Sequence, residues 1–117
     1  MGDSAVAIVQ EALLGQAAAY AGAALLVSDD TLRYVAANHA ACELLGYPRD
    51  ELLSLRVRDV LQQPEASLRE SARRVSDGQI AHGTLNARRK DGDSFPVQFV
   101  STPAAVGGLP FVLTVLW

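Results

Sequence analysis

A short turn between two strand-like stretches places the strongest constraint on the fold. The turn spans residues 90–93, KDGD, with Asp91-Gly92 at its tip, and an Asp-Gly pair accepts the unusual backbone angles of a tight hairpin. Residues 84–89 are typical of a strand before it, and apolar residues alternate with others over residues 95–99 after it. Because a tight hairpin joins neighbouring strands of opposite direction, the sequence predicts an antiparallel sheet.

Three other stretches complete the sheet that the sequence predicts. Residues 23–28 are apolar and end at Asp29-Asp30, a turn signal, and residues 32–36 favour a second strand. After the Gly107-Gly108 turn, residues 111–117 form an almost unbroken apolar run. Such a run is typical of a strand that is buried on both faces, so we predict that residues 111–117 form the central strand.

Helices are predicted between the second and third strands. Asn38 can cap a short helix, which Gly46 ends because glycine accepts the left-handed conformation of the stop position. Pro48 begins another turn at the first helical position. One more turn is predicted over residues 57–61, and a longer helix over residues 65–76.

The N-terminal segment has the pattern of an amphipathic helix over residues 3–20. Val6, Val9 and Leu13 recur at helical spacing, and a neighbouring stripe of smaller apolar residues widens the apolar face. One small domain is too small to cover all of this face. The sequence therefore predicts a homodimer that forms through this helix and the outer face of the sheet.

The order of the elements defines the predicted fold class. A helix is followed by two strands, several short helices and three strands, which is the order of an α+β domain with helices grouped on one face of an antiparallel sheet. We predict a cap helix over residues 1–22 and one folded domain over residues 23–117. A chain of 117 residues is too short to build two independent cores.

Composition excludes several classes of function. A net charge of −3 argues against a nucleic-acid-binding surface. Cys42 is the only cysteine, so an internal disulfide is impossible, and two histidines without a carboxylate cluster predict no metal site. Residues 12–27 are too short and too rich in Ala and Gly for a membrane span, and no basic residue precedes Arg33. The sequence thus predicts a cytoplasmic domain with neither membrane nor nucleic-acid contacts.

Four motifs together resemble those of the PAS family of sensory domains. Residues 38–47, NHAACELLGY, resemble its N-x-A-x-x-x-L-x-G-Y helix, and residues 48–52, PRDEL, resemble the turn that follows. Residues 88–92, RRKDG, resemble its R-K-D-G hairpin, and Asp77-Gly78 matches the usual end of its long helix. Order and spacing agree over residues 23–117.

This resemblance implies a PAS fold, in which a five-stranded antiparallel sheet and short helices enclose a small cavity. It also implies a non-enzymatic role in signal transduction. PAS domains usually continue into a helical connector that leads to an effector. Because this chain stops at Trp117, the resemblance implies that an attached effector domain is missing from it.

The resemblance supports neither of two coloured cofactors. Haem-binding members carry a histidine on the long helix, and residues 65–76 contain none. Blue-light flavin members carry a cysteine in an N-C-R-F-L motif, and residues 53–58, LSLRVR, contain none. The remaining expectation is an empty cavity, or one that holds a small apolar or mixed ligand.

Candidate cavity residues follow from the predicted apolar faces and from this resemblance. Asn86 and Thr84 share one face of a strand, but the sequence leaves open whether that face points inward. The predicted set is Tyr34, Cys42, Leu45, Leu53, Val57, Leu61, Leu68, Asn86, Val97, Phe99 and Leu113.

Two other functions remain open at this point. His39 and Cys42 lie three residues apart on one predicted helix, so the imidazole could activate the thiol of a small enzyme. We expect instead that Cys42 fills space in the core, because buried and inert cysteines are common. The other possibility is a protein–protein adaptor without a cavity.

Overall fold

The structure is a computed structural model that describes residues 23–117. The predicted N-terminal helix, with Val6, Val9 and Leu13, lies outside the described residues. The strands are β1 (Ala24–Ser28), β2 (Tyr34–Ala37), β3 (Ala81–Arg88), β4 (Ser94–Val106) and β5 (Leu109–Leu116). The helices are α1 (His39–Leu45), α2 (Arg49–Leu52), α3 (Val57–Val60) and α4 (Glu65–Ser76), all between β2 and β3.

The five strands form one antiparallel sheet in the order β2-β1-β5-β4-β3. The predicted α+β class and the five-stranded antiparallel sheet are therefore confirmed. Strand β5 is central, as its apolar sequence predicted, since it pairs with β1 on one side and with β4 on the other. Consecutive residues Val112 and Leu113, which point to opposite faces, are both buried.

The last hairpin is longer than the sequence predicted. The ladder between β4 and β5 continues up to the pair Val106 and Leu109, whereas the predicted strands covered only residues 95–99 and 111–117. Gly107 and Gly108 have φ angles of 60° and 79°, and two central residues of positive φ make a tight turn whose twist matches the flanking strands. The strands consequently stay paired up to the turn itself.

The second strand begins two residues later than predicted. The Asp29 carboxylate accepts hydrogen bonds from the backbone N–H groups of Thr31 and Arg33 and from the Thr31 hydroxyl. These bonds fold residues 29–33 into a compact turn in which Leu32 has a positive φ of 63°. Leu32 therefore belongs to the turn, although its side chain is buried in the core.

Asn38 joins the first strand to the first helix. Its side-chain Oδ1 accepts a hydrogen bond from the backbone N–H of Ala41, which caps α1, and another from the N–H of Leu25 in β1. Its Nδ2 donates to the carbonyl of Ala23, and its own backbone N–H donates to the carbonyl of Leu25. One residue thus fixes where the helical segment leaves the sheet.

The turn between β3 and β4 closes the other end of α1. The Lys90 backbone N–H donates to the carbonyl of Leu45, and the Arg89 Nε donates to that of Leu44. Gly46 ends the helix with a φ of 77°, as predicted, because this left-handed conformation is unfavourable for other residues. The helical layer is therefore attached to the sheet at both ends of α1.

The core lies between the helices and one face of the sheet, which we call the inner face. Its fully buried side chains include Leu26, Leu45, Leu52, Val60 and Leu116. Among the described residues, no helix is long and apolar enough to cross a membrane.

We expect Asn38→Ala to lower the free energy of unfolding by about 2–4 kcal/mol. It removes a helix cap, worth about 1 kcal/mol, and leaves two part-buried backbone groups without partners. Asn38→Asp is the matched variant, because it keeps an acceptor for Leu25 and Ala41 and loses only the donor to Ala23. We expect it to lose about half as much, and urea unfolding measures both. Equal losses for the two variants would contradict this role of the Oδ1 atom.

Candidate functional site

A small pocket lies between α4 and the inner face of the sheet, and we call it the inner pocket. Its volume is about 50 Å³. It is lined by a polar group and an apolar group of residues. The polar residues are Ser28, Tyr34, Gln63, Ser71, Ser101 and Thr114, and the apolar residues are Leu32, Val57, Leu61, Leu68, Ala72, Val75, Leu85 and Phe99.

The register of the sheet places the hydroxyl groups beside one another. Ser101 in β4 is paired directly with Thr114 in β5, so both side chains project from the same face. Their hydroxyl oxygens are 2.8 Å apart, which is a hydrogen bond. Ser28 lies on β1, the other neighbour of β5. Ser28 and Ser101 are 4% and 8% exposed, so this polar surface is buried within a largely apolar core.

Tyr34 contributes the most unusual group in the inner pocket. Its side chain is 4% exposed, and its hydroxyl has no hydrogen-bond partner among the described residues. Burial raises the pKa of this hydroxyl well above its ordinary value of 10, and the negative charge of Asp59 raises it further. The hydroxyl is therefore protonated at neutral pH and can donate a hydrogen bond. A buried polar group without a partner costs about 1–3 kcal/mol, so its presence here requires an explanation.

The structure brings five of the eleven predicted cavity residues together at the inner pocket. These are Tyr34, Val57, Leu61, Leu68 and Phe99. Four others contribute to the surrounding core: Leu45 and Val97 are buried in it, and Cys42 and Leu53 are half-buried against it.

Asn86 and Leu113, the other two residues of the predicted set, do not line the inner pocket. Leu85 is buried on the inner face, so its neighbour Asn86 points to the outer face, where it is exposed. Leu113 precedes Thr114, which lines the pocket, and therefore also points outward, although it is only 3% exposed. The open question of the phase of β3 is thus resolved: Leu85 faces inward and Asn86 outward.

The sequence prediction missed the hydroxyl residues of the inner pocket. Ser28 was interpreted as the end of a strand, and Thr114 as one member of an apolar run. A signal was present, because a polar residue inside an otherwise apolar strand is buried unless it lies at an edge. Ser101 gave no comparable signal, since the predicted strand ended before it.

The arrangement of His39 and Cys42 does not favour a catalytic pair. The His39 Nε2 lies 2.8 Å from the Glu43 Oε1, and both side chains are largely exposed. Cys42 is half-buried and packs against the core. The imidazole is therefore engaged by a carboxylate on the solvent side of α1, and the thiol fills space on the core side. Among residues 23–117, no three His, Cys, Asp or Glu side chains are grouped to hold a metal ion.

A second and larger cleft, of about 250 Å³, lies outside the core beside α4. Its charged walls include Asp29 and Arg69. Asp29 is already engaged by its own turn, and Arg69 is paired with Glu65 at 3.2 Å. Although smaller, the inner pocket is the better candidate site, because core side chains line it. One of them is Tyr34, whose buried hydroxyl has no partner among the described residues.

The sequence profile of the family described as PAS domain matches residues 22–116. The chain therefore belongs to the PAS domain family. The profile covers the sheet and all four described helices, so the motif-based resemblance and the fold agree.

Solved structures of similar fold come from several microorganisms. A domain of a sensory box sensor histidine kinase/response regulator from Geobacter sulfurreducens is 21% identical, with a TM-score of 0.70 over 89% of this chain and 95% of that one. The PAS domain of an HTR-like protein from Haloarcula marismortui is 16% identical, with a TM-score of 0.75 over 92% and 96%.

The PAS domain of nitrogen regulation protein NR(II) from Vibrio parahaemolyticus is 19% identical, with a TM-score of 0.68 over 83% of this chain and 89% of that one. No curated protein sequence matches the chain significantly. The chain is thus a PAS domain, and its fold is similar to those of PAS domains from signalling proteins such as a sensor histidine kinase.

We expect Cys42 in the folded protein to react with iodoacetamide at neutral pH several-fold more slowly than in urea-unfolded protein. Its half-buried position restricts access, and the engaged His39 does not activate the thiol. Mass spectrometry over time measures both rates, and His39→Ala is the control, which should leave the folded rate unchanged. Faster labelling of the folded protein that depends on His39 would instead support the enzyme hypothesis.

Proposed function

We propose that this PAS domain is a sensory and dimerisation module of a signal-transduction protein. It couples a small ligand in the inner pocket, or contact with a partner, to an attached effector, and it carries out no catalysis itself. The similarity to PAS domains of sensor histidine kinases supports this role, as does the buried polar surface of the inner pocket. The proposed location is the cytoplasm.

The observation that carries the proposal is that the central strand β5 presents side chains to both faces of the sheet. Thr114 lines the inner pocket, whereas Leu113 and Val115 on either side of it point to the outer face. A ligand that contacts Thr114 therefore acts on the same strand that forms the centre of the outer face. The ligand shifts the population of β5 positions, and a partner on the outer face detects this shift.

The fluorescence of Trp117 can be used to measure this coupling. Trp117 is the only tryptophan and directly follows β5. Its backbone N–H and carbonyl both bond to Gln98 in β4, at 3.1 and 3.0 Å. The side chain is 44% exposed, so its fluorescence responds to small changes in contact with water.

We expect Ser71→Val, which adds apolar volume to the wall of the inner pocket, to imitate occupancy. The variant should shift the Trp117 emission maximum and change amide exchange at Trp117 and Gln98. Ser67→Val is the matched control, because Ser67 lies on the exposed side of the same helix. If the two variants give the same emission and exchange, the inner pocket does not communicate with the end of β5.

We expect Leu13→Asp to weaken self-association at least tenfold, because a charge in an apolar helix interface is costly to bury. On the predicted helix, Glu11 lies on the opposite side from Leu13. Glu11→Gln, which changes the net charge by one unit in the opposite direction, serves as the control. Sedimentation equilibrium measures the dissociation constant. An unchanged constant for Leu13→Asp would remove the helix from the proposed interface.

A further inference from the structure

The hydrogen-bonding groups that line the inner pocket indicate which chemical groups a ligand needs in order to bind there. The Tyr34 hydroxyl has no partner in the described structure, so its hydrogen is available. Ser101 and Thr114 share one hydrogen bond, which uses the hydrogen of one hydroxyl and leaves that of the other. The Ser28 and Ser71 side chains also line the pocket and carry hydroxyl groups. The described walls are therefore rich in O–H donors, which match a ligand that brings a hydrogen-bond acceptor.

The charge of the wall excludes ionic ligands. None of the fourteen residues that line the inner pocket is Asp, Glu, Lys, Arg or His. Burying a carboxylate, phosphate or ammonium group without a charged partner is costly. The ligand that the inner pocket favours is therefore uncharged.

The size of the inner pocket limits the ligand to a few non-hydrogen atoms. A buried water occupies roughly 10–15 Å³ on this scale, so about 50 Å³ holds a ligand of a few atoms. Leu68, Val75 and Phe99 form an apolar wall, which favours a ligand with a hydrocarbon part. A carbonyl oxygen has two lone pairs and can accept two hydrogen bonds at once.

We infer that the inner pocket binds a small neutral carbonyl compound, such as a short ketone, ester or amide, whose oxygen accepts a hydrogen bond from Tyr34. The Ser101–Thr114 pair supplies the second donor, and the apolar wall contacts the hydrocarbon part. This inference rests on the proposed function, since it names the class of ligand for the same pocket.

Three probes of the same number of non-hydrogen atoms separate the possibilities. 2-Butanone carries the carbonyl, 2-methyl-1-butene has a closely similar shape without an acceptor, and propionate carries a negative charge. Titrations followed by amide chemical shifts measure all three affinities, with affinity in the millimolar range expected for so small a ligand. We expect 2-butanone to bind most tightly, with shifts at Thr114 and Ser101, and propionate not to bind.

Tyr34→Phe removes the hydroxyl and keeps the ring. We expect it to weaken 2-butanone about five- to tenfold, the effect of one hydrogen bond, and to leave 2-methyl-1-butene unchanged. The melting temperature of the ligand-free variant should stay the same or rise, since a buried group without a partner is lost. Thr114→Val tests the second donor if Tyr34→Phe does not fold, and it should weaken 2-butanone by a similar factor.

Several outcomes would overturn the inference. One is that Tyr34→Phe and the wild type bind 2-butanone with equal affinity. Another is that propionate or 2-methyl-1-butene binds the wild type as tightly as 2-butanone does, or more tightly. The third is that no probe binds. If the alkene binds best and shifts the Trp117 emission, the ligand class is wrong but the proposed coupling survives. If Ser71→Val and every bound probe leave Trp117 unchanged, the proposed coupling itself fails.

Discussion

Four of the hydrogen bonds that Asn38 makes determine where the helical layer leaves the sheet. They connect β1, the end of β2 and the first turn of α1 through a single residue. Because β1 lies beside the central strand β5, this connection sets the position of α1 over the inner face. The hydrogen bonds from the Arg89 side chain and the Lys90 backbone to the carbonyl end of α1 then fix its other end. The helical layer is thus held to the sheet at both ends of α1.

The inner pocket combines two properties that usually exclude each other. Its surroundings are a packed apolar core, yet the hydroxyl-bearing residues Tyr34, Ser101 and Thr114 line it. The pair on β4 and β5 satisfies part of its own hydrogen-bonding capacity, whereas Tyr34 does not. Such a group costs stability, and binding a partner of suitable chemistry recovers that cost. This is the physical reason for placing the proposed sensory function at the inner pocket.

Local chemistry made most of the fold predictable, and the rest depended on tertiary contacts. Asp91-Gly92, Gly46 and the apolar run before Trp117 each have one favoured structural role, so the hairpin, the helix end and the central strand were predicted. The inward face of β3 could not be predicted. Apolar Leu85 and Ala87 alternate with Thr84 and Asn86, which are uncharged and can lie on either face of a sheet. The hydroxyl groups of Ser28, Ser101 and Thr114 were missed because their burial depends on how β1, β5 and β4 pair in the sheet. Strand β1 is far from β4 and β5 in the sequence, so the sequence alone does not show this pairing. The wide apolar N-terminal helix remains a prediction.

The strand order also has a consequence for folding during synthesis. Strand β5 lies between β1 and β4 and is the last strand to leave the ribosome. Until it emerges, the earlier strands can form only two separate hairpins, β1 with β2 and β3 with β4, which share no ladder. Small two-stranded units of this kind are marginally stable in water. The domain therefore cannot close until β5 has been synthesised, and the nascent chain exposes apolar surface that chaperones can bind in the meantime.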